Sequence, residues 1–257
     1  MKKITGLLMI IALVSCNCKE KETEHWISLF NGVDLEGWTP KFNHSELGVN
    51  YRNTFRVKDS ILCVSYEDYD SITDEFGHLF YKEPFSHYKI RVEYRFRGEQ
   101  VKGGQGWALR NNGVMLHCQP PETMGLDQPF PISLEAQLLG GLGDGDRPTG
   151  NLCTPGTHVE INGQLVTDHC IRSSSKTYNG DQWVIFEGVV LGDSLLHHII
   201  DGDTVISYTH PVIGGDQMTD DPPFPDGFAV TSGYISIQAE SSPTEFRKIE
   251  LLDLSRK

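Results

Sequence analysis

The 257-residue chain is defined first by what it lacks. Its six cysteines include no CxxC pair, which argues against a cysteine-built zinc site. There is no Walker loop, no GxSxG elbow and no HExxH helix, so a phosphate cradle, an α/β-hydrolase nucleophile and a zincin protease are set aside. No internal repeat is visible. After residue 24 no window of twelve residues carries a 3.6-residue apolar stripe, so long helices are not expected. Basic residues are few, 22 against 35 acidic, giving a net charge of -13. Such a surface repels nucleic acid and anionic lipid, and neither is expected as a partner.

The one long apolar run, Ile4 to Val14, follows Lys2 and Lys3 and is too short to span a bilayer as a stable helix. It ends at Leu13-Val14-Ser15-Cys16, which resembles a bacterial lipobox, with Cys16 as the lipidated N-terminus of the mature chain. Losing residues 1–15 removes two lysines and no acid, moving the charge from -13 to -15. Residues 16–24 read as a polar tether, and Asn17 to Glu22 is similar to the lysine-plus-acid export signal of some surface lipoproteins. The expectation is an exported protein, lipid-anchored to the cell envelope at the outer membrane or cell surface, touching membrane through its anchor only.

Residues 25–257 have the size of a single sandwich domain. In Tyr88–Arg97, Ile90, Val92, Tyr94 and Phe96 alternate with Lys89, Arg91, Glu93, Arg95 and Arg97, the period of a half-buried strand. Runs of the same kind lie at Ser60–Tyr66, Val114–Gln119, Ile132–Leu139, Trp183–Leu191, Leu195–Ile200, Thr204–Tyr208, Gly233–Glu240 and Phe246–Leu254. Asp201-Gly202-Asp203 reads as a hairpin turn. Many short strands with Gly, Pro and Asp punctuation predict an all-β antiparallel sandwich. The Gly/Pro-rich stretch 98–178 reads as long loops, where a site would be built. Cys153 and Cys170 flank part of it and are the best disulfide pair in an exported chain. Cys63 and Cys118 read as buried thiols.

Three constellations could carry chemistry. In Ser133-Leu-Glu-Ala-Gln-Leu138, Ser133, Glu135 and Gln137 share one strand face, and a carboxylate beside an amide can hold a sugar hydroxyl, a metal or a proton. His117 is placed on a face with Met115 and Gln119, with Trp107 and Arg110 across a turn at Asn111-Asn112-Gly113; histidine serves as acid, base or ligand near neutral pH. Tyr234, Ser236, Gln238 and Glu240 oppose the core residues Ile235, Ile237 and Ala239. His198, before the Asp201 turn, is expected on the same surface. His158, Asp168 and His169 match no recognised metal spacing, and Asp144-Gly-Asp146 reads as a turn rather than a calcium loop.

Ser28-Leu-Phe-Asn-Gly-Val-Asp-Leu-Glu-Gly-Trp38 resembles the opening motif of the 3-keto-disaccharide hydrolase domain family. Tyr88–Arg97, Glu135-Ala-Gln137, His198 before Asp201-Gly202, Gly233-Tyr-Ile-Ser-Ile-Gln238 and Glu245-Phe-Arg-Lys-Ile249 follow in the family's order. The resemblance implies a concanavalin A-like jelly roll of two antiparallel sheets, one concave and open to substrate. It also implies a glycoside hydrolase or lyase acting on sugars oxidised at C3, with a divalent metal in some relatives and no organic cofactor. Glu240 and Arg247-Lys248 depart from the common pattern, in which histidine and Arg-Asn stand, and residues 140–178 resemble only a subset of relatives.

On this reading a base, His117 or Glu135, removes the C2 proton. Gln137, Arg110, Gln238, Glu240 and His198 hold hydroxyls or the enolate, and Trp107 faces the sugar ring. Glu135, with loop carboxylates or histidines, is the first choice of metal ligand. The function also requires a partner sugar 3-oxidoreductase. Two other readings stand: hydrolysis by two carboxylates, Glu135 with Glu240 or Glu187, and a glycan-binding lipoprotein without catalysis.

Overall fold

The computed structural model describes residues 24–255. The expected leader, Cys16 as the expected lipidation site, and residues 17–23 of the expected tether lie outside them. In chain order the strands are β1 Ile27–Ser28, β2 Trp38–Phe42, β3 Phe55–Lys58, β4 Ile61–Val64, β5 Gly77–Tyr81 and β6 His87–Phe96. They continue with β7 Asn111–Cys118, β8 Leu134–Leu139, β9 Asn151–Cys153, β10 Thr157–Ile161, β11 Gln164–Val166 and β12 Cys170–Ile171. The last are β13 Val184–Leu191, β14 Leu195–Ile200, β15 Asp203–Ile213, β16 Tyr234–Ala239 and β17 Thr244–Asp253.

They form two antiparallel sheets, a jelly-roll sandwich. One runs β11-β10-β15-β14-β13-β6-β17-β4-β3, with β1 added on β17; the other runs β12-β9-β8-β7-β16-β5-β2. Alternation on β6 decides which face is covered: Ile90, Val92, Tyr94 and Phe96 are buried between the sheets. Leu134, Ala136 and Leu138 of β8 and Ile235, Ile237 and Ala239 of β16 close the core from the other side. Each fully buried large apolar side chain contributes about 1.5–3 kcal/mol. A one-residue slip of these strands would forfeit that stabilisation and expose the core set to water.

The outer face of the larger sheet is paired charge. Arg91 bridges Glu187 at 2.9 Å and Glu250 at 2.6 Å, Arg95 bridges Glu245 at 2.6 Å, and Arg247 bonds Glu93. Trp183 lies under both Arg95 and Arg247, 4.4 and 4.5 Å from its ring centre. Glu187 is therefore occupied on the wrong sheet and cannot partner Glu135. The β14–β15 hairpin turns at Asp201 (φ 49°) and Gly202 (φ 94°), two left-handed residues in series as a tight right-twisted hairpin requires.

The stretch expected as loops is more ordered than its composition suggested. Within residues 140–178, β9 and β12 extend the smaller sheet, while β10 and β11 extend the larger. Cys153 and Cys170 lie opposite each other on β9 and β12 and form a disulfide. Asp146 bonds Arg172 and Thr177, which fixes that segment as a tied turn. Cys118 is buried, whereas Cys63 is only half-buried.

Candidate functional site

The outward face of the smaller sheet carries polar side chains at consecutive register positions. On β8, Glu135 pairs with Met115 of β7 on one side and Cys153 of β9 on the other; Gln137 pairs with Gly113 and Asn151. On β16, Ile237 pairs with Val114 of β7, so Gln238 falls level with Gly113, and Gln238 pairs with His78 of β5. Gly113 is the low point of this face. A Cβ built there would lie 2.6 Å from Glu135 Oε1. The missing side chain is what lets the Glu135 carboxylate lean across β7 toward β16.

A cavity of about 370 Å³ opens here, lined by Asn111, Glu135, Gln137 and Glu240, with Trp107 and Phe130 on one side and Pro155, His169 and the Cys153–Cys170 disulfide on another. Glu135 and Glu240 are 7% and 3% exposed, and neither has a basic partner among the described residues. Burial pushes the Glu135 carboxyl up to about 8. Burial, and then the nearby Glu135 charge, holds Glu240 well above the usual carboxylate range. Two such groups in one cavity favour a state in which a proton is retained, one carboxyl as acid and the other as base.

Glu135 Oε1, Glu240 Oε2 and Asn111 Oδ1 are buried without hydrogen-bond partners among the described residues. An unpaired buried polar group costs about 1–3 kcal/mol, so three together point to a ligand or ion. Among the described residues no three His, Cys, Asp or Glu gather as metal ligands, and the cysteines at the wall are locked in a disulfide. The donor set is therefore wrong for a zinc-type centre and suits a hard, oxygen-bound divalent cation that keeps part of its water.

The sequence-predicted residues divide sharply. Glu135, Gln137, Glu240 and Trp107 line the cavity, and Gln238 lies fully buried on the same sheet face. His117 does not join them. A bulge between the β16 positions Tyr234 and Ser236 places two β7 residues, Leu116 and His117, opposite the single Ile235, and His117 has φ 50°. That break ends the alternation, so Cys118, not His117, shares the face of Met115. The His117 ring stacks on Tyr88 at 5.9 Å, and burial lowers it to about 4. It lines a separate, mostly apolar cavity of about 450 Å³ with Phe224, Phe228 and Val230.

His198 is also a correction. It sits between the sheets, 0% exposed, its Nδ1 3.0 Å from the Gly150 carbonyl and its Nε2 2.9 Å from the Tyr208 hydroxyl. Both nitrogens are used in the fold. Arg110 points away from the cavity: its guanidinium donates to the Gly180 carbonyl and lies over Phe96. The expected turn at Asn111-Asn112-Gly113 is the start of β7, and the left-handed residue is Arg110 itself (φ 47°). Asn112 donates from its side chain to the Gln238 carbonyl, 2.8 Å, which ties β7 to β16.

Residues missed from sequence include Asn111, His78 and Phe130. His78 carries no local signal, because all five residues of β5 are buried and no alternation marks its face. Phe130 lies between two prolines in a segment that reads only as loop.

The 3-keto-alpha-glucoside-1,2-lyase-like domain matches residues 25–252. The chain belongs to this family. Among solved structures, two proteins from Parabacteroides distasonis ATCC 8503, assigned provisionally to the glycosyl hydrolases, share the fold of this family member. One is 19% identical with a TM-score of 0.55, covering 90% of this chain and 95% of the other. The second is 17% identical with a TM-score of 0.53, covering 90% and 100%. The exoplasmic/lumenal domain of VIP36 in its metal-free form matches at 12% identity and a TM-score of 0.50, covering 91% and 93%. No curated protein matches the chain.

Proposed function

We propose that this family member cleaves glycosides whose sugar carries a ketone at C3, by elimination across C1–C2 followed by addition of water. The observation that carries the reading is the buried pair Glu135 and Glu240 in one cavity on the open sheet face. Family membership supports a glycan-related role.

A C3 ketone acidifies the hydrogen at C2. Glu135, as carboxylate, takes that proton, and the C–H electron pair moves into an enediolate spread over C2, C3 and the C3 oxygen. The C1–O bond then breaks, its electrons leave with the aglycone oxygen, and the proton of Glu240 neutralises that oxygen. Water adds across the C1–C2 double bond, its OH to C1 and a proton to C2, and the pair returns to its starting protonation. Both carboxyls are held above the usual range by burial, so the pair keeps a proton to share, as a base and an acid require. Gln137 and the Asn111 side chain supply neutral hydrogen bonds to hydroxyls, and Trp107, 53% exposed, offers its face to the ring.

A hard divalent cation, when bound, would be held by Glu135 Oε1, Glu240 Oε2 and Asn111 Oδ1, and would supply positive charge for the enolate oxygen. The function also calls for an oxidoreductase that installs the ketone. The chain is proposed to act outside the cytoplasm, on an envelope lipid anchor at Cys16.

The same two carboxylates favour one rival, direct hydrolysis of an unoxidised glycoside. Turnover of a chromogenic 3-keto-glucoside beside its parent decides between them. Cleavage of the keto form alone, with exchange of the C2 hydrogen into solvent deuterium, is the expected result; cleavage of the parent would replace the proposal with the rival.

A further inference from the structure

His78 and Gln238 face each other across β5 and β16, and both are 0% exposed. Both ring nitrogens of His78 and both amide atoms of Gln238 are without hydrogen-bond partners among the described residues. Four unpaired polar atoms on two adjacent side chains are unusual in a folded interior, where such groups are nearly always bonded. The neighbouring cation does not explain them. Lys41, paired with His78 in register, spends its ammonium on the carbonyls of Phe42 at 2.7 Å, Ser45 at 3.1 Å and Leu126 at 3.2 Å.

Two rings pack against His78, Phe80 with centroids 6.3 Å apart and Phe130. Phe130 meets His78 edge-on, with centroids 5.8 Å apart, and stacks on Phe76 at 5.2 Å; Phe76 in turn contacts Trp107 at 5.8 Å. Phe130 also lines the cavity that holds Glu135 and Glu240. Its backbone is fixed: Gln128 Nε2 donates to the Phe130 carbonyl at 2.9 Å and to Gln119 Oε1 at 2.8 Å, and prolines flank it on both sides. A turn about χ1 would move the ring off Phe76 and His78 without disturbing the loop.

We propose that His78 and Gln238 form a second subsite for sugar hydroxyls, roofed by Phe130, whose ring swings aside as the ligand enters. The inference rests on the reading of this cavity as a sugar site and extends it to a further pair of strands. The chemistry selects a neutral ligand. Buried beside Lys41, His78 stays uncharged and presents one donor and one acceptor, and the Gln238 amide presents the same two kinds of group. Hydroxyls and a ketone satisfy that pattern; a carboxylate or phosphate would meet only the Lys41 ammonium, which is already committed to three backbone carbonyls.

The test uses the whole chain with 15N-labelled histidine and a Glu135→Gln change, so that methyl 3-oxo-α-D-glucopyranoside binds without turnover. Calorimetry reports binding, and the ring signals of His78 report the subsite. The expected result is a saturable shift of the His78 signals at the calorimetric Kd, with Kd weakened on the order of tenfold in His78→Leu and in Gln238→Leu, as loss of one or two hydrogen bonds implies. Phe130→Ala should retain binding and speed association. Unmoved His78 signals at calorimetric saturation, unchanged affinity in His78→Leu, or no sugar binding at all would overturn the subsite. Its failure is separable from failure of the elimination reading. A wild-type protein that cleaves the keto-glycoside while His78 stays silent loses only the subsite. One whose His78 responds to sugar while no keto-glycoside is cleaved loses only the elimination.

Discussion

The carboxylate of Glu135 occupies the space that a side chain at position 113 would fill: a Cβ on Gly113 would stand 2.6 Å from Oε1 and 2.9 Å from Cγ. One strand's glycine thereby sets where its neighbour's acid points.

Gly113→Ala should accordingly push Glu135 off the β7 strand while leaving the sheet paired. Misplacing a catalytic group by about 1 Å costs on the order of 100-fold. The expected outcome is a fall in kcat of that size with thermal stability within about 1 kcal/mol of wild type. Unchanged kcat would show that the position of Glu135 does not govern the chemistry.

Stability should depend on pH through Glu135. The folded state holds this proton to about pH 8, whereas the unfolded chain releases it near the ordinary value of 4.5. The folded state therefore binds more protons between those values, and its stability falls as pH rises through that window. Glu135→Gln carries no such loss. Denaturant melts at pH 4 and pH 9 should show the variant gaining on wild type by about 3 kcal/mol or more at the alkaline end. A gap independent of pH would mean that Glu135 titrates normally.

The orphaned oxygens of Glu135, Glu240 and Asn111 make cation binding measurable without any substrate. At pH 8, calcium or manganese at about 100 times its Kd should stabilise the fold by about 2.7 kcal/mol, read as a rise in Tm. Glu240→Gln should lose most of that rise. A Tm indifferent to both ions would remove the cation from the proposal.

His198 should behave as a structural residue. It bonds the Gly150 carbonyl and the Tyr208 hydroxyl and packs edge-on against Phe186 at 5.6 Å. His198→Phe strands both partners and should cost about 2–4 kcal/mol of stability. At a temperature where the variant is folded, kcat/KM should stay within about threefold of wild type. A large loss of turnover in fully folded protein would return His198 to the site.

The sequence made the sandwich legible where apolar and polar residues alternate along a strand. β6 reads exposed-buried in strict alternation, and β8 and β16 disclosed Glu135, Gln137, Gln238 and Glu240 because Leu134, Ala136, Ile235 and Ile237 between them are so plainly core. On β7 and β5, where every residue is buried and apolar and polar types do not alternate, the signal fails. That is why His78 went unseen and Asn111 was read as turn. His117 was misplaced for a different reason. Face assignment counts residues, and a bulge adds one without changing composition. The edge strands β9 to β12 are two to five residues long, too short for any period to show.

The wall of the cavity and its floor have different origins. Glu135 and Glu240 stand on or directly beyond strands deep in the smaller sheet, whereas Pro155, His169 and the Cys153–Cys170 bond belong to the segment that adds strands at the sheet margin. The disulfide closes that segment on itself, with a separation of 17 residues, while β10 within it pairs with β15 and buries Val159 in the core. Under the proposed elimination, Pro155 and His169, held at the sheet margin beside the disulfide, would shape which leaving group enters, while the carboxylates on the central strands would carry the chemistry.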